Sequence, residues 1–309
     1  MPEKLRYILI GGNGFLGKSL ARHLLKEDVI IIGRSLPIVS KDDFQYYSVQ
    51  QFSLEKITEL LPSDFKYRVI DFSYNSISNT NPVYPGKDFS DNVNLVIENL
   101  RFARKLRAES YVYISSGGTV YGNAEENPIP ETHVTNPISH YGIIKLASEK
   151  YVQMYCTQEN INYYIVRPSN VYGPGQVPFR GQGIIPTALA SVYKNRPVII
   201  YGKGESIRDY IYVDDFCQWL ILLIKSGKSN EIYNAGSGIG HSIMEIIDEL
   251  KRVTSDSTQI KVQYVPERPF DVKLNILDNR KIMVATGISC SVLMQQGLSD
   301  TWNWIKTIH

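Results

Sequence analysis

The chain has 309 residues, 43% of them hydrophobic and 21% charged, which is an ordinary globular composition and enough for one large or two tightly joined domains. A formal net charge of +2 gives no broad attraction to nucleic acid or to a membrane surface, and no apolar stretch approaches the roughly 20 residues that span a bilayer. Three cysteines without paired spacing and five scattered histidines argue against a disulfide framework or a metal site, so we expect no bound metal and a cytoplasmic location.

Short β-rich runs alternate with segments of helical spacing over the first half of the chain. The predicted strands are 7–10, 29–32, 68–72, 111–115 and 163–167. The predicted helices are 15–25, 92–106 and 141–155. Such alternation is typical of a parallel sheet covered by helices on both faces, so we predict an α/β fold with a Rossmann-type, doubly wound sheet.

The alternation of strand-like and helix-like segments ends after Tyr172. Glycine and proline cluster over 173–186, and a stretch with helical spacing runs from there to 194. Residues 210–213 resemble a strand that returns to the first unit. We therefore predict a dinucleotide-binding domain over 1–170 plus about 210–236. A smaller C-terminal substrate domain would comprise 171–209 and 237–309.

Glycines 11, 14 and 17 lie between the first predicted strand and the first predicted helix. Glycine permits a tight turn, close approach of the backbone to a pyrophosphate, and close helix packing. The helix N-terminus would add N–H donors and a positive dipole. The alternative is an ordinary glycine-rich turn, but the position favours cofactor contacts from Gly11, Asn13, Gly14, Phe15, Leu16 and Gly17.

The second strand ends in Gly33-Arg34-Ser35, without the acid that usually binds the adenosine ribose of NAD. Arg34 could pair with a 2′-phosphate, and Ser35 could add a further donor. This favours NADP over NAD. The alternative is that Arg34 stacks on adenine or faces solvent and that NAD is held without the acid.

Tyr141 and Lys145 are four residues apart at the start of a predicted helix, so they share one face. An ammonium beside a phenol lowers the phenol pKa, which suits Tyr141 for proton transfer at a sugar hydroxyl. Chance Tyr-x-x-x-Lys pairs are common in a chain with 21 tyrosines. The position of this pair, about 25 residues after a serine-rich strand end, favours catalysis.

That strand end reads Ser115-Ser116-Gly117-Gly118-Thr119-Val120-Tyr121-Gly122. Small hydroxyl residues at the carboxyl end of a parallel strand lie where open α/β proteins bind ligands. Ser116 or Thr119 could donate a hydrogen bond to a reacting oxygen. The alternative is a turn that uses its hydroxyls for local backbone bonds.

Together these motifs resemble the extended short-chain dehydrogenase/reductase family, especially its nucleotide-sugar epimerases and dehydratases of the UDP-glucose 4-epimerase kind. The resemblance covers nearly the whole chain. It also includes segments 167–173, 208–215, 233–236 and 268–272.

The resemblance implies site residues beyond the catalytic pair. Cofactor contacts would come from Asn92, Ser115, Tyr141, Lys145, Pro168 and Ser169. Substrate contacts would come from Gly117, Asn170, Ile199, Tyr201, Arg208, Arg268 and Asp271. Paired arginines suit a diphosphate because each guanidinium offers a planar fork of donors. The alternative for Arg208 is an ion pair with Asp209 or Asp215.

Three positions depart from the family pattern. Gly117 stands where the family carries its catalytic Ser or Thr, so Ser116, Thr119 or a water would have to replace that hydroxyl. Segment 71–73 reads Asp-Phe-Ser instead of a His-Leu-Ala-like strand end. Gly118 and Thr119 replace the acidic pair of the dehydratases, and this argues against dehydration.

The leading hypothesis is an NAD(P)-dependent 4-epimerase of a nucleotide-activated hexose, of the UDP-glucose/galactose or N-acetyl type. The second is an NADPH-dependent reductase of a nucleotide-linked 4-keto-6-deoxyhexose, which the Gly33-Arg34-Ser35 segment supports. A non-catalytic nucleotide sensor is a third reading, against which Tyr141 and Lys145 argue. The resemblance further implies a homodimer formed through a four-helix bundle of segments 92–106 and 141–155; alternatively, their apolar faces only cover the sheet.

Overall fold

The secondary structure is known from a computed structural model that describes residues 4–25, 27–34, 44–75, 84–254, 260–268 and 271–308. The strands are β1 (Lys4–Ile10), β2 (Asp28–Gly33), β3 (Gln45–Ser48), β4 (Phe65–Asp71), β5 (Ser110–Ile114), β6 (Asn162–Pro168), β7 (Asn170–Tyr172), β8 (Val198–Tyr201), β9 (Ile207–Tyr212), β10 (Glu231–Ala235), β11 (Gly240–Ser242), β12 (Val262–Val265) and β13 (Leu274–Asn275). The helices are α1 (Phe15–His23), α2 (Leu54–Leu60), α3 (Pro85–Lys105), α4 (His140–Gln158), α5 (Ile184–Tyr193), α6 (Val213–Ser226), α7 (Ile243–Thr254), α8 (Arg280–Thr286) and α9 (Met294–Ile308).

Seven strands form one parallel sheet in the order β10-β6-β5-β4-β1-β2-β3. The order reverses at β1, which has β4 on one side and β2 on the other. In open α/β sheets, ligands bind at such a reversal, outside the carboxyl ends of the strands. The Rossmann-type, doubly wound fold predicted from the sequence is therefore confirmed.

The central strands are apolar because both faces of the sheet are covered. Tyr7 and Leu9 of β1 belong to a core beneath α1 and α6, whereas Ile8 and Ile10 belong to a core beneath α3 and α4. Successive side chains of a strand point to opposite faces, so one strand supplies both cores. This arrangement leaves the carboxyl edge of the sheet for chemistry.

The second unit has its own core, in which α5, α7 and α9 pack around small sheets. β9 is central to one of these sheets and pairs with β7, β11 and β13, while β8 pairs with β12.

The predicted return to the first unit begins three residues later than expected. Residues 210–212 lie in β9, which belongs to the smaller sheet, and α6 then packs on α1 and leads to β10 of the large sheet. In addition, α8 packs against α6 and β10 although the sequence assigned 237–309 to the substrate domain. Both differences arise because long-range strand and helix pairing cannot be read from a local apolar pattern. Among the described residues, no helix is long and apolar enough to cross a membrane.

Candidate active site

The glycine turn after β1 is shaped for close backbone approach. Gly11 has φ of 72° and donates its N–H to the Ile32 carbonyl at 2.8 Å, and a Cβ at Gly11 would lie 3.0 Å from the backbone of Ser73. A Cβ at Gly17 would lie 2.4 Å from the Gly12 Cα, so α1 can pack this closely only on glycine. The N-cap residue of α1, Gly14, makes no side-chain capping bond. The N–H groups of the first turn can therefore serve an anion.

A cleft of about 1080 Å³ begins at this turn and extends between the two units. Eighteen residues predicted as site residues line it: Gly11, Gly14, Phe15, Leu16, Gly17, Ser115, Ser116, Thr119, Tyr141, Lys145, Pro168, Ser169, Asn170, Ile199, Tyr201, Arg208, Arg268 and Asp271. Asn13, Arg34, Asn92 and Gly117 are not among the lining residues, and Ser35 lies outside the described residues.

Tyr141 and Lys145 project from the first turns of α4, which Ser139 caps by accepting the Gly142 N–H at 3.1 Å. The Lys145 ammonium is buried and donates to the Ile114 carbonyl at the end of β5, with 2.9 Å between Nζ and O. Nζ also lies 5.8 Å from the centre of the Tyr141 ring. The i, i+4 pair thus reaches the carboxyl edge of the sheet together.

The protein environment shifts the pKa of both groups toward their neutral forms. Burial lowers the pKa of Lys145 to about 8, although the carboxylates of Asp71 and Glu149 act in the opposite direction. Burial and then the neighbouring Tyr74 phenol raise the pKa of Tyr141, while the Ser116 hydroxyl lowers it. A positively charged group beside Tyr141 would be needed to make its phenolate accessible near neutral pH.

Two of the residues whose hydroxyl groups were predicted to act on the substrate, Ser116 and Thr119, line the cleft. Ser116 lies close enough to the Tyr141 phenol to lower its pKa, and Thr119 lines the cleft with a buried Oγ1 that has no hydrogen-bond partner among the described residues. Ser169 also lines the cleft, and its buried Oγ likewise finds no partner in the part of the chain that the structure describes. Buried polar atoms without partners are rare, so Thr119 and Ser169 indicate places where a ligand completes the bonding.

Gly117 is placed differently from the predicted substrate contact. A Cβ there would lie 2.5 Å from Leu277 Cδ1 and 2.9 Å from the Arg167 carbonyl. Its N–H donates to Pro168 at 2.8 Å, and its carbonyl accepts from the Asn275 amide at 3.0 Å. A hydroxyl at this position would point into the protein, because the residue faces the loop around Leu277 and not the cleft.

A buried ion pair below helix α4 was not predicted. Glu149 accepts two hydrogen bonds from Arg167, at 2.9 Å and 2.6 Å, and a third from the Ser115 hydroxyl. Ser115, expected at the cofactor, therefore supports the end of β5 through Glu149. The available signal in the sequence was the spacing, since Glu149 follows Lys145 by one helical turn and lies on the same face.

Two arginines supply positive charge at the other end of the cleft. The carboxylate of Asp209 binds the backbone of 237, 238 and 277, and that of Asp215 binds the backbone of 291 and 292, so neither is the ion-pair partner considered for Arg208. Burial and the nearby Arg268 cation lower the pKa of Arg208. Arg268 itself pairs with Asp271 at 2.9 Å and lies 4.2 Å from the centre of the Tyr201 ring.

Three further residues that the sequence predicted to contact a ligand are Asn92, Asn170 and Arg34, and each is placed differently in the structure. Asn92 is buried and accepts the Asn75 N–H at 2.8 Å, so its amide supports a loop and does not line the cleft. Asn170 lines the cleft and donates to the Asp209 carbonyl at 2.9 Å. Arg34 follows β2 with an exposed side chain.

The first half of the cleft fits a dinucleotide cofactor. The glycine turn would take the pyrophosphate on the N-terminus of α1, and Pro168 and Ser169 line the same cleft as Tyr141. No cluster of three or more metal-binding side chains occurs in the described ranges.

Comparison with known proteins identifies the family of this chain and similar enzymes. A model of the NAD dependent epimerase/dehydratase family matches residues 7–236. A protein of Methanocaldococcus jannaschii, named provisionally as a UDP-glucose 4-epimerase, is 30% identical over 97% of this chain and 98% of its own. An Escherichia coli dTDP-4-dehydro-6-deoxyglucose reductase is 27% identical over 94% of each chain.

The fold is likewise that of a solved relative. The crystal structure of UDP-glucose 4-epimerase from Thermotoga maritima with UDP-glucose superposes with a TM-score of 0.89 at 27% identity, over 98% of this chain and 100% of that one. Residues 7–236, which the family model matches, include the glycine turn, the Tyr141–Lys145 pair and the end of β10. The chain belongs to the NAD dependent epimerase/dehydratase family.

Proposed function

We propose that the protein is an NAD(P)-dependent 4-epimerase of a nucleotide-activated hexose, of the UDP-glucose/galactose or N-acetyl type. The observation that carries this proposal is one cleft with a proton-transfer pair at one end and paired guanidinium groups at the other, namely Tyr141 with Lys145 and Arg208 with Arg268. Similarity to 4-epimerases over nearly the whole chain supports it.

Tyr141 would move a proton at the 4-hydroxyl oxygen of the sugar. NAD(P), when bound, accepts a hydride from C4 and can return it. As C4 loses its hydrogen and becomes a carbonyl carbon, the 4-hydroxyl proton passes to the Tyr141 phenolate; on reversal at the opposite face, Tyr141 returns that proton to oxygen. Lys145, whose Nζ lies 5.8 Å from the centre of the Tyr141 ring, would stabilise the phenolate once the cofactor adds its positive charge, and Ser116 or Thr119 would donate to the reacting oxygen.

The remaining cleft residues would hold the nucleotide while the sugar turns. The diphosphate carries negative charge that Arg208 and Arg268 can bind through charge-assisted hydrogen bonds. The base would lie against Ile199 and Tyr201 on β8, both of which are partly exposed in the cleft. Anchoring at this end leaves the 4-keto sugar free to present its other face to the cofactor.

A second candidate is an NADPH-dependent 4-ketoreductase, in which Tyr141 gives its proton once to the carbonyl oxygen. Two observations favour it: the similarity to an Escherichia coli 4-keto sugar reductase, and the Arg34 side chain, which follows β2 in place of an acid. We accordingly propose NADP or NAD as cofactor, with a modest preference for NADP. The proposed cytoplasmic location stays a prediction.

Two assays run in parallel distinguish these functions: a panel of UDP-, dTDP-, GDP- and CDP-hexoses with the oxidised cofactor present below stoichiometry, and NADPH with a nucleotide-linked 4-keto-6-deoxyhexose. Conversion to the 4-epimer without net change in reduced cofactor supports the epimerase, whereas loss of one NADPH per molecule of keto sugar supports the reductase. Tyr141→Phe should lower turnover at least about hundredfold while cofactor binding persists. Tyr151→Phe, on the exposed side of the same helix, is the matched control. Cofactor and nucleotide binding without turnover of any sugar would favour a sensor.

A further inference from the structure

Tyr74, which follows β4, packs against Tyr141 and Lys145. Its ring meets the Tyr141 ring edge to face, with centroids 4.9 Å apart and planes at 82°. The Lys145 ammonium lies 5.1 Å from the centre of the Tyr74 ring and 4.9 Å from that of Tyr113. Tyr74 lines the cleft together with Tyr141 and Lys145, so its ring occupies part of the space beside both reactive groups.

The segment that leads into Tyr74 is held by buried polar side chains. The Asp71 carboxylate accepts the Ser73 N–H at 2.8 Å and the Ser73 hydroxyl, and it also accepts the Asn99 amide at 2.9 Å. Both Asp71 and Asn99 are almost fully inaccessible to water. The backbone immediately before Tyr74 therefore has little freedom.

The residue after Tyr74 is held as well. The Asn75 N–H donates to the buried Asn92 amide oxygen at 2.8 Å, and the Asn92 amide group in turn donates to the Asp88 carbonyl at 2.9 Å. Helix α3 thus anchors both flanks of Tyr74, through Asn99 on one side and Asn92 on the other. Such support is the arrangement that keeps a side chain in one orientation at a working site.

We propose that Tyr74 is a positioning residue that shields Tyr141 and Lys145 from water and holds the Tyr141 phenol in its reactive orientation. The proposal rests on the proposed function, because it assumes that this pair transfers the proton at the sugar. The partners of the pair are Tyr74 and Ser116 around the phenol, and Tyr113, Asp71 and Glu149 around the ammonium.

The shield has a consequence that can be measured without a substrate. Burial and the Tyr74 phenol both raise the pKa of Tyr141. Tyr74→Ala admits water and removes that phenol, so the pKa of Tyr141 should fall by at least about half a unit toward its ordinary value. Tyr74→Phe keeps the ring and the exclusion of water, so it should lower the pKa by less.

The pKa is measured by NMR titration of the protein saturated with oxidised cofactor, whose positive charge would bring the Tyr141 pKa into the range where the protein stays folded; the protein is labelled at the tyrosine Cζ, and the Tyr141 resonance is assigned by its loss in Tyr141→Phe. The holoprotein is then assayed against pH with the sugar found in the panel. Tyr74→Ala should reduce turnover at least about tenfold and move the acid limb of the profile to lower pH, with Tyr74→Phe close to wild type. Tyr84→Ala, at an exposed tyrosine outside the cleft, is the control.

An unchanged Tyr141 titration in Tyr74→Ala overturns the proposal, and so does a Tyr74→Phe variant that behaves like Tyr74→Ala, because the ring would then not matter. Melting temperatures separate either result from misfolding. If no sugar in the panel is converted, the proposed function fails, yet the NMR titration still decides whether Tyr74 shields Tyr141.

Discussion

Glu149 and Arg167 form a bidentate ion pair beneath helix α4, with 2.6 Å between Arg167 Nη2 and Glu149 Oε2 and side-chain exposures of 0% for Glu149 and 2% for Arg167. The pair joins α4 to the end of β6 and, through the Ser115 hydroxyl, to the end of β5. Because its members lie 18 residues apart, it ties together the elements that carry Lys145, Pro168 and Ser169. A buried charge without its partner is costly, which leads to the first prediction.

We expect Glu149→Gln to lower the free energy of unfolding by about 3–5 kcal/mol, because it leaves Arg167 buried and uncompensated. Glu159→Gln removes the partner of Arg104 at the other end of α4, where both side chains are considerably exposed, and should cost at most about 1 kcal/mol. Urea unfolding of both variants measures the difference. Equal losses would show that the buried pair contributes no more than a surface pair.

The second prediction concerns Lys145 and pH. Because burial lowers the pKa of Lys145 to about 8 in the folded protein, the unfolded chain binds more protons between that pH and the ordinary lysine value of 10.5. The stability of the wild type relative to Lys145→Met should therefore rise with pH across this window, by up to about 1.4 kcal/mol per pH unit. Urea unfolding at several pH values measures it; a flat difference would mean that Lys145 is not desolvated.

The third prediction is that Gly117→Ser does not restore a catalytic hydroxyl. The added Cβ would meet Leu277 Cδ1 at 2.5 Å, so we expect a loss of about 1–3 kcal/mol in unfolding free energy and no gain in turnover. Gly118→Ser is the matched control, since a Cβ there meets no atom within 4 Å. A stable and faster Gly117→Ser enzyme would contradict this reading of the loop.

The fourth prediction concerns cofactor choice. We expect the wild type to bind NADP(H) at least as tightly as NAD(H), because no acid follows β2 and Arg34 can make charge-assisted bonds to a 2′-phosphate, each about 1.5–3 kcal/mol before screening by salt. Arg34→Ala should lose NADP(H) affinity selectively in titrations with both cofactors. A strong preference for NAD(H) that survives the substitution would also remove much of the support for the reductase.

The fifth prediction is a homodimer through α3 and α4. These helices pack on one another, and α4 carries the exposed apolar residues Ile143, Tyr151 and Met154 on the side away from the sheet, with Phe89 exposed on α3. We expect a dimeric mass by light scattering at micromolar concentration and a monomeric mass for Met154→Asp. A monomeric wild type would show that these helices serve only to cover the sheet.

The fold class could be predicted from local spacing in the sequence, and the family and the kind of enzyme from the resemblance of its ordered motifs to a known family. Three glycines at intervals of three after a strand specify a turn and a helix start. The i, i+4 spacing of Tyr141 and Lys145 puts them on one helical face whatever the rest of the chain does. Apolar runs of five residues separated by helices specify a parallel sheet.

Only the tertiary structure decided which distant residues contact the predicted site residues. Gly117 meets Leu277 and Glu149 meets Arg167 across long stretches of chain, and Asn92 holds the residue after Tyr74, not the cleft. Strand β9 joined the smaller sheet despite its apolar pattern, because pairing partners are chosen in space. Spacing along the chain determines which side chains share a face of a helix or strand. The burial of those side chains, the hydrogen-bond partners of their hydroxyl groups and the shifts of their pKa values depend on which residues pack against that face.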